Sequence, residues 1–221
     1  AWKDELGDRL ITSDQIFELN ALPNSLAVVG SGVIAIELAQ AMQRLGVKTT
    51  VFARSRKVGV LTSPKLQLLA QTEISTELEI NFEVLPTEVK YINNQVELRF
   101  TENGQSKTLN VDYLLVATGR SSLLNTLKLE NIDTSFTDLK HLPVDSETKQ
   151  LADYPIFIIG DAYTDTPLQH EAAHEGKVSV KNALNFPTIE SCKTLTPLGI
   201  VFSSPEMAMV GQNFKQLQSA P

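Results

Sequence analysis

One cysteine stands in the chain, Cys192, and its isolation excludes an internal disulfide framework and any cysteine-pair chemistry within these residues. Positive charge is in deficit. Lys and Arg number 19 against 26 Asp and Glu, a formal charge of -7, which argues against nucleic acid as a partner for the chain as a whole. Long apolar runs are missing too: none approaches a membrane span, and no charged-then-apolar signal segment opens the sequence. A cytoplasmic protein with no membrane contact is the expectation. What is present is ordinary, with 42% hydrophobic and 20% charged residues over a length of 221, enough for one large or two small globular domains. Ala1 in place of methionine, and the stop at Gln218-Ser219-Ala220-Pro221, read as the bounds of a piece of something longer.

The pattern along the chain is that of an α/β protein. Thr12-Ser13-Asp14-Gln15 reads as a capping box opening a short helix with Ile16, Phe17 and Leu19 on its apolar face. Leu26-Ala27-Val28-Val29 is a continuous apolar run ending in Gly30, as in a strand buried on both faces. Helical spacing then holds from Val33 to Leu45 and closes at Gly46, and Val47 to Ala53 reads as a second strand. Ser63-Pro64 opens a helix to about Leu78, followed by a strand from Ile80 to Leu85. From 87 to 112 the pattern alternates strictly, with Asn103-Gly104 as a hairpin turn, which predicts an antiparallel meander. Tyr113-Leu114-Leu115-Val116-Ala117 returns to a buried strand. Residues 120–154 are irregular, Pro155 to Gly160 reads as a further buried strand, and an amphipathic helix is expected from about Leu168 to Leu184, with another strand from Leu198 to Phe202. The fold class expected is a Rossmann-like, doubly wound parallel sheet with an antiparallel meander in place of a crossover helix, plus a partial second α/β domain.

Gly30-Ser31-Gly32-Val33-Ile34-Ala35 matches G-x-G-x-x-G/A between a strand and a helix. There Gly30 permits the tight turn, Gly32 lets the main chain approach a pyrophosphate, and Ala35 lets the helix pack on the strand. The free N–H groups of the first helical turn, with the helix dipole, suit two phosphate charges. At the end of the second strand, where a carboxylate would accept the ribose hydroxyls of NAD, the sequence reads Ala53-Arg54-Ser55-Arg56-Lys57. Arg54 and Arg56 would welcome a 2′-phosphate, which favours NADP(H) over NAD(H); a solvated basic turn is the plainer alternative. Glu37, two residues past Ala35, is expected to face away from the phosphates, toward a cation of a neighbouring domain or toward solvent. His170 and His174 lie four apart on one helical face, but no third ligand accompanies them and no metal is expected. His141 reads as solvated, and the three Met and Trp2 carry no assigned chemistry.

With those residues in view, the string from Leu22-Pro23 through Val29-Gly30-Ser31-Gly32-Val33-Ile34-Ala35-Ile36-Glu37-Leu38-Ala39 resembles the pyridine-nucleotide site of the flavoprotein disulfide reductases, the family of dihydrolipoamide dehydrogenase, glutathione reductase and mercuric reductase. Ala117-Thr118-Gly119-Arg120, Ile156-Phe157-Ile158-Ile159-Gly160-Asp161 and His170-Glu171-Ala172-Ala173-His174-Glu175-Gly176 follow in the family's order, and Val201 to Gly211 resembles the opening of its dimerisation domain. The resemblance implies a nicotinamide cofactor passing hydride to FAD and on to a dithiol or disulfide substrate, in a homodimeric full-length enzyme. It implies that Glu37 pairs with a lysine of the FAD domain near the nicotinamide, and that Gly119 belongs to a loop beside it. Asp161, after Gly160, would accept a ribitol hydroxyl of FAD, and the N–H groups of Gln169 and His170 would face the flavin pyrimidine ring. The family's first FAD glycine motif, redox cysteine pair and catalytic histidine–glutamate pair all lie outside these residues, so no catalytic residue is expected here.

The domains expected are an NAD(P)-binding domain over 1–118, the C-terminal part of an FAD-binding domain over 119–186, and the start of a dimerisation domain over 187–221. Ala53-Arg54-Ser55 leans toward mercuric and glutathione reductases, whereas His174-Glu175-Gly176 leans toward dihydrolipoamide dehydrogenase. Two alternatives stand beside this reading: a two-dinucleotide flavoprotein with another acceptor, such as an oxidase or ferredoxin reductase, and a non-catalytic dinucleotide-binding module.

Overall fold

The computed structural model describes residues 2–163, 168–191 and 195–219. Cys192 lies outside the described residues. The chain divides into two compact units, Ala1–Gly119 with Leu198–Pro221, and Arg120–Pro197.

The first unit is built on a five-stranded sheet in the order β1-β8-β2-β3-β4, with every neighbouring pair parallel. A short helix, α1 (Trp2–Leu6), precedes the strands β1 (Leu10–Ile11), β2 (Ser25–Val29), β3 (Lys48–Ala53), β4 (Glu79–Phe82) and β8 (Tyr113–Val116). The apolar runs are continuous because both faces are covered. Alternate residues go to opposite sides: Leu26, Val28, Val51 and Leu115 pack on helices α2 (Val33–Arg44) and α3 (Pro64–Ile74). Ala27, Val29, Phe52 and Leu114 pack instead on Val96, Leu98 and Phe100 of the meander β5 (Glu88–Ile92), β6 (Gln95–Glu102) and β7 (Gln105–Val111). Phe52 and Phe100 meet edge to face with ring centroids 4.9 Å apart. Three layers result, helices, parallel sheet and antiparallel sheet.

The hairpin turn at Asn103-Gly104 has positive φ at both residues, 51° and 75°, as a type I′ turn requires. Asn93-Asn94 makes a second such turn, with φ of 51° and 65°. Helix α3 ends at Ile74, earlier than the apolar spacing suggests, since the Thr76 hydroxyl bonds back to the Glu73 carbonyl at 2.7 Å and residues 75–77 turn. The Thr12–Gln15 box forms only in part: the Gln15 side chain accepts the Thr12 N–H at 3.0 Å, but the segment is a single 3₁₀ turn (Gln15–Glu18), and Phe17 is 78% exposed rather than on the buried face.

The hairpin β9 (Leu198–Val201) and β10 (Met207–Val210) lies within this compact unit. Val201 and Met207 are buried in the helix-side core with Ile36 and Val58.

In the second unit the core gathers Leu124, Leu129, Phe136, Leu142, Leu151 and Ile158. The run Pro155–Gly160, expected as a strand buried on both faces, makes only a single antiparallel bridge, Phe157 to Gln150, with Ile158 N–H bonded to the Lys149 carbonyl at 2.9 Å. Among the described residues no further strand pairs with it, so a ladder does not extend. Helix α4 (Gln169–Asn185) forms where expected, but the residues it buries are polar: Glu175, Ser179 and Asn182 face inward, while Val180 and Leu184 are exposed. Asn182 holds the main chain of Glu190 through both its amide atoms, each at 2.9 Å.

Candidate functional site

The turn between β2 and α2 is shaped by close packing. Gly30 has φ of 133°, and its N–H donates to the Phe52 carbonyl at 2.9 Å. A Cβ on Gly30 would lie 2.9 Å from the Ala117 carbonyl carbon, closer still to its oxygen, and 3.4 Å from the Ala35 Cβ. The turn is therefore pinned between β3, the end of β8 and the first turn of α2. Ala35, fully buried, is small enough to permit it.

Gly32 differs. It is the residue preceding α2, and a Cβ there would meet nothing within 4 Å. The space above it is open. The first helical hydrogen bond runs from the Ile36 N–H to the Gly32 carbonyl at 3.1 Å, so the amides of Val33, Ile34 and Ala35 precede the ladder. A 12-residue helix aims its positive end into that space. Open space at the positive end of a helix, with amides outside the helical ladder facing it, suits an anion such as a phosphate.

Ser31 turns its hydroxyl away from the space, donating to the Lys57 carbonyl at 2.6 Å, while its own carbonyl accepts the Gly59 N–H at 2.9 Å. The glycine turn is thereby joined to the basic loop after β3. On that loop Arg54 is exposed and has no hydrogen bond or ion pair among the described residues. Arg56 is engaged: its guanidinium lies 3.7 Å from Glu83 and 5.5 Å from the Phe82 ring centroid.

Glu37 faces away from the phosphate cradle, and its carboxylate accepts the Phe202 N–H at 2.8 Å. One turn later Gln40 holds both the N–H and the carbonyl of Ser204, at 2.7 and 2.9 Å, and donates to Glu77 at 2.6 Å. Arg44 pairs with Glu77 at 2.6 Å and holds that carboxyl below the usual glutamate range. One face of α2 thus fastens residues 202–204, the start of the turn that joins Leu198–Val201 to Met207–Val210. Gly119, with φ of 119°, ends the first unit.

In the second unit Gly160 has φ of 57°, and a Cβ on it would come within 2.8 Å of the Ala172 Cβ. Its N–H donates to Glu175 at 2.7 Å, and Glu175, 7% exposed, is also paired with Lys149 at 2.8 Å. Asp161 is exposed, with Arg120 at 3.6 Å. Gln169 and His170 are exposed at the start of α4, and the first bond of the helix is Ala172 N–H to Leu168 carbonyl, so their amides precede the ladder. Among the described residues no group of three or more His, Cys, Asp or Glu is arranged to hold a metal ion, and no helix is long and apolar enough to cross a membrane. His141 is exposed and bonded to Asp138 at 2.7 Å.

The loop contacts of Gln67 and Gln71, and the Glu175–Lys149 pair, were not singled out by motif. Their signal is a polar residue in helical phase with apolar ones: Gln67 shares a face with Ala70 and Ile74.

A glycine turn of this form, between a parallel strand and its helix, over a sheet backed by an antiparallel third layer, defines a doubly wound α/β protein. A family model described as pyridine nucleotide-disulphide oxidoreductase matches residues 3–176, and the chain belongs to that family. The dihydrolipoyl dehydrogenase of Bacillus subtilis (strain 168) is 30% identical over 210 residues, covering 93% of this chain and 43% of its own length. The mercuric reductase of Staphylococcus aureus is 32% identical over 208 residues, covering 93% and 38%. Among solved structures, LpdA from Mycobacterium tuberculosis superposes with a TM-score of 0.79 at 25% identity, covering 95% of this chain and 45% of its own. The chain spans less than half the length of these relatives.

Proposed function

We propose that the first unit is the NAD(P)-binding portion of a flavoprotein disulfide reductase, most like dihydrolipoamide dehydrogenase, and that the second unit carries part of the FAD site. The observation that carries this reading is the open space over Gly32 at the head of α2, with Gly30 packed so tightly that the main chain itself forms the floor. In the whole protein the two cofactors would supply hydride transfer toward a dithiol or disulfide. This chain's residues would bind and orient them. The amides of Val33, Ile34 and Ala35 would receive the pyrophosphate, and Asp161 together with the N-terminal amides of α4 would meet the flavin.

The guanidinium of Arg54, exposed and without a partner among the described residues, supports NADP(H) over NAD(H), with a 2′-phosphate replacing the carboxylate-held diol. Fluorescence titration of NADPH and NADH tests both parts. NADPH binding the tighter, and its dissociation constant rising about tenfold or more in Arg54→Ala, is the expected result. An unchanged constant in Arg54→Ala contradicts the cofactor preference, and binding of neither dinucleotide contradicts the site.

A further inference from the structure

We propose that Gln71 on α3, seconded by Gln67, is a positioning residue for cofactor selectivity: it fixes the main chain of the basic loop so that Arg54 is presented in one place. The proposal rests on the dinucleotide reading above. The Gln71 side chain donates to the Arg56 carbonyl at 2.6 Å. One helical turn earlier, Gln67 accepts the Val58 N–H at 2.8 Å and donates to the carbonyls of Val58 at 2.9 Å and Leu61 at 2.6 Å. Two side-chain amides on one face of a helix thus substitute for the strand neighbour that a loop lacks.

Their position relative to Arg54 gives the anchoring a consequence. Upstream, Ala53 is fully buried and its carbonyl accepts the Val84 N–H at 3.2 Å. Downstream, Ser55 bonds only within the loop, its hydroxyl accepting the Lys57 N–H at 3.4 Å, and the first main-chain atom held from outside it among the described residues is the Arg56 carbonyl. Arg54 and Ser55 therefore span two fixed points, and the Arg54 guanidinium is left without a partner among the described residues. Arg56, by contrast, already has a carboxylate beside it, Glu83 at 3.7 Å, and lies over the Phe82 ring. A cation presented from a fixed main chain gives up less freedom on gripping a phosphate than one on a loose loop. Loss of the anchor should weaken recognition of the 2′-phosphate and spare the rest of the dinucleotide, which Gln71 does not approach through any bond it makes.

The test is NADPH and NADH titration of Gln71→Met, which keeps length and removes the donor, alongside the unsubstituted chain and Arg54→Ala. The preference for NADPH over NADH should fall about threefold to fivefold in Gln71→Met, as the loss of one hydrogen bond would give. Gln67→Met should move the ratio in the same direction, and melting curves check that each variant folds. A Gln71→Met chain that keeps the full preference, whether or not it melts lower, overturns the proposal while leaving the dinucleotide site standing. A starting chain with no preference, or one that Arg54→Ala leaves intact, removes the basic-loop reading and the proposal together.

Discussion

Gly30 and Ala117 sit so close across the sheet end that a Cβ on Gly30 would lie 2.9 Å from the Ala117 carbonyl carbon. With φ of 133° as well, position 30 demands glycine on two counts, whereas Gly32, two residues on, faces open space. The two glycines of one motif therefore fail differently. Gly30→Ala should lower stability by about 2–4 kcal/mol in denaturant melts, because strained backbone and an impossible contact add. Gly32→Ala should leave the melt within about 0.5 kcal/mol and yet weaken dinucleotide binding, since the methyl group enters the space the pyrophosphate would use.

Much of the first unit was legible for a simple reason. Its strands are buried on both sides, so Leu26 to Val29 and Tyr113 to Val116 are apolar without a break, and its meander alternates because one face is wet. What was not legible depends on partners distant in sequence. Pro155 to Gly160 is apolar enough for a strand, but sequence does not say whether a neighbour exists to pair with it. That Val201 and Met207 fill the core beside Val58 is likewise something no local period reveals. At the site, the Gly30–Ala35 turn is legible from its glycine spacing between an apolar strand and a helix; that Glu37 meets the Phe202 amide is not.

The second unit turns on Glu175. Its carboxylate is shared by the Gly160 amide and Lys149 in a mostly buried setting. Glu175→Ala should cost about 1–3 kcal/mol, because it leaves the buried Gly160 amide without its acceptor and the half-buried Lys149 without its counter-charge. Hydrogen exchange at Gly160, read by mass spectrometry on short peptides, should rise in step. Unchanged exchange would show that the pair does not hold the turn.

Acid should loosen the same unit. The Asp145 carboxyl is held below the usual aspartate range, chiefly by the Thr148 N–H and then by its hydroxyl and the Glu147 N–H. A folded pKa below the unfolded one means the stabilisation is complete above about pH 4 and is lost as pH falls through the folded value. Melts between about pH 5 and pH 3 should show a smaller loss of stability in Asp145→Asn than in the unsubstituted chain. Parallel pH profiles would rule this out.

Asp161 separates a flavoprotein from a module that binds only one dinucleotide. In the full-length protein Asp161→Ala should reduce bound FAD, measured by absorbance of the purified protein, while NADPH affinity stays within about twofold. Undiminished flavin content would favour the one-dinucleotide alternative.

The most direct measurement is an amide NMR titration of the ¹⁵N-labelled chain with NADPH. The largest shifts should fall on Gly32, Val33, Ile34 and Ala35, with inorganic pyrophosphate moving the same four resonances in the same direction. Binding that leaves those four amides still and moves others would contradict the account at its centre.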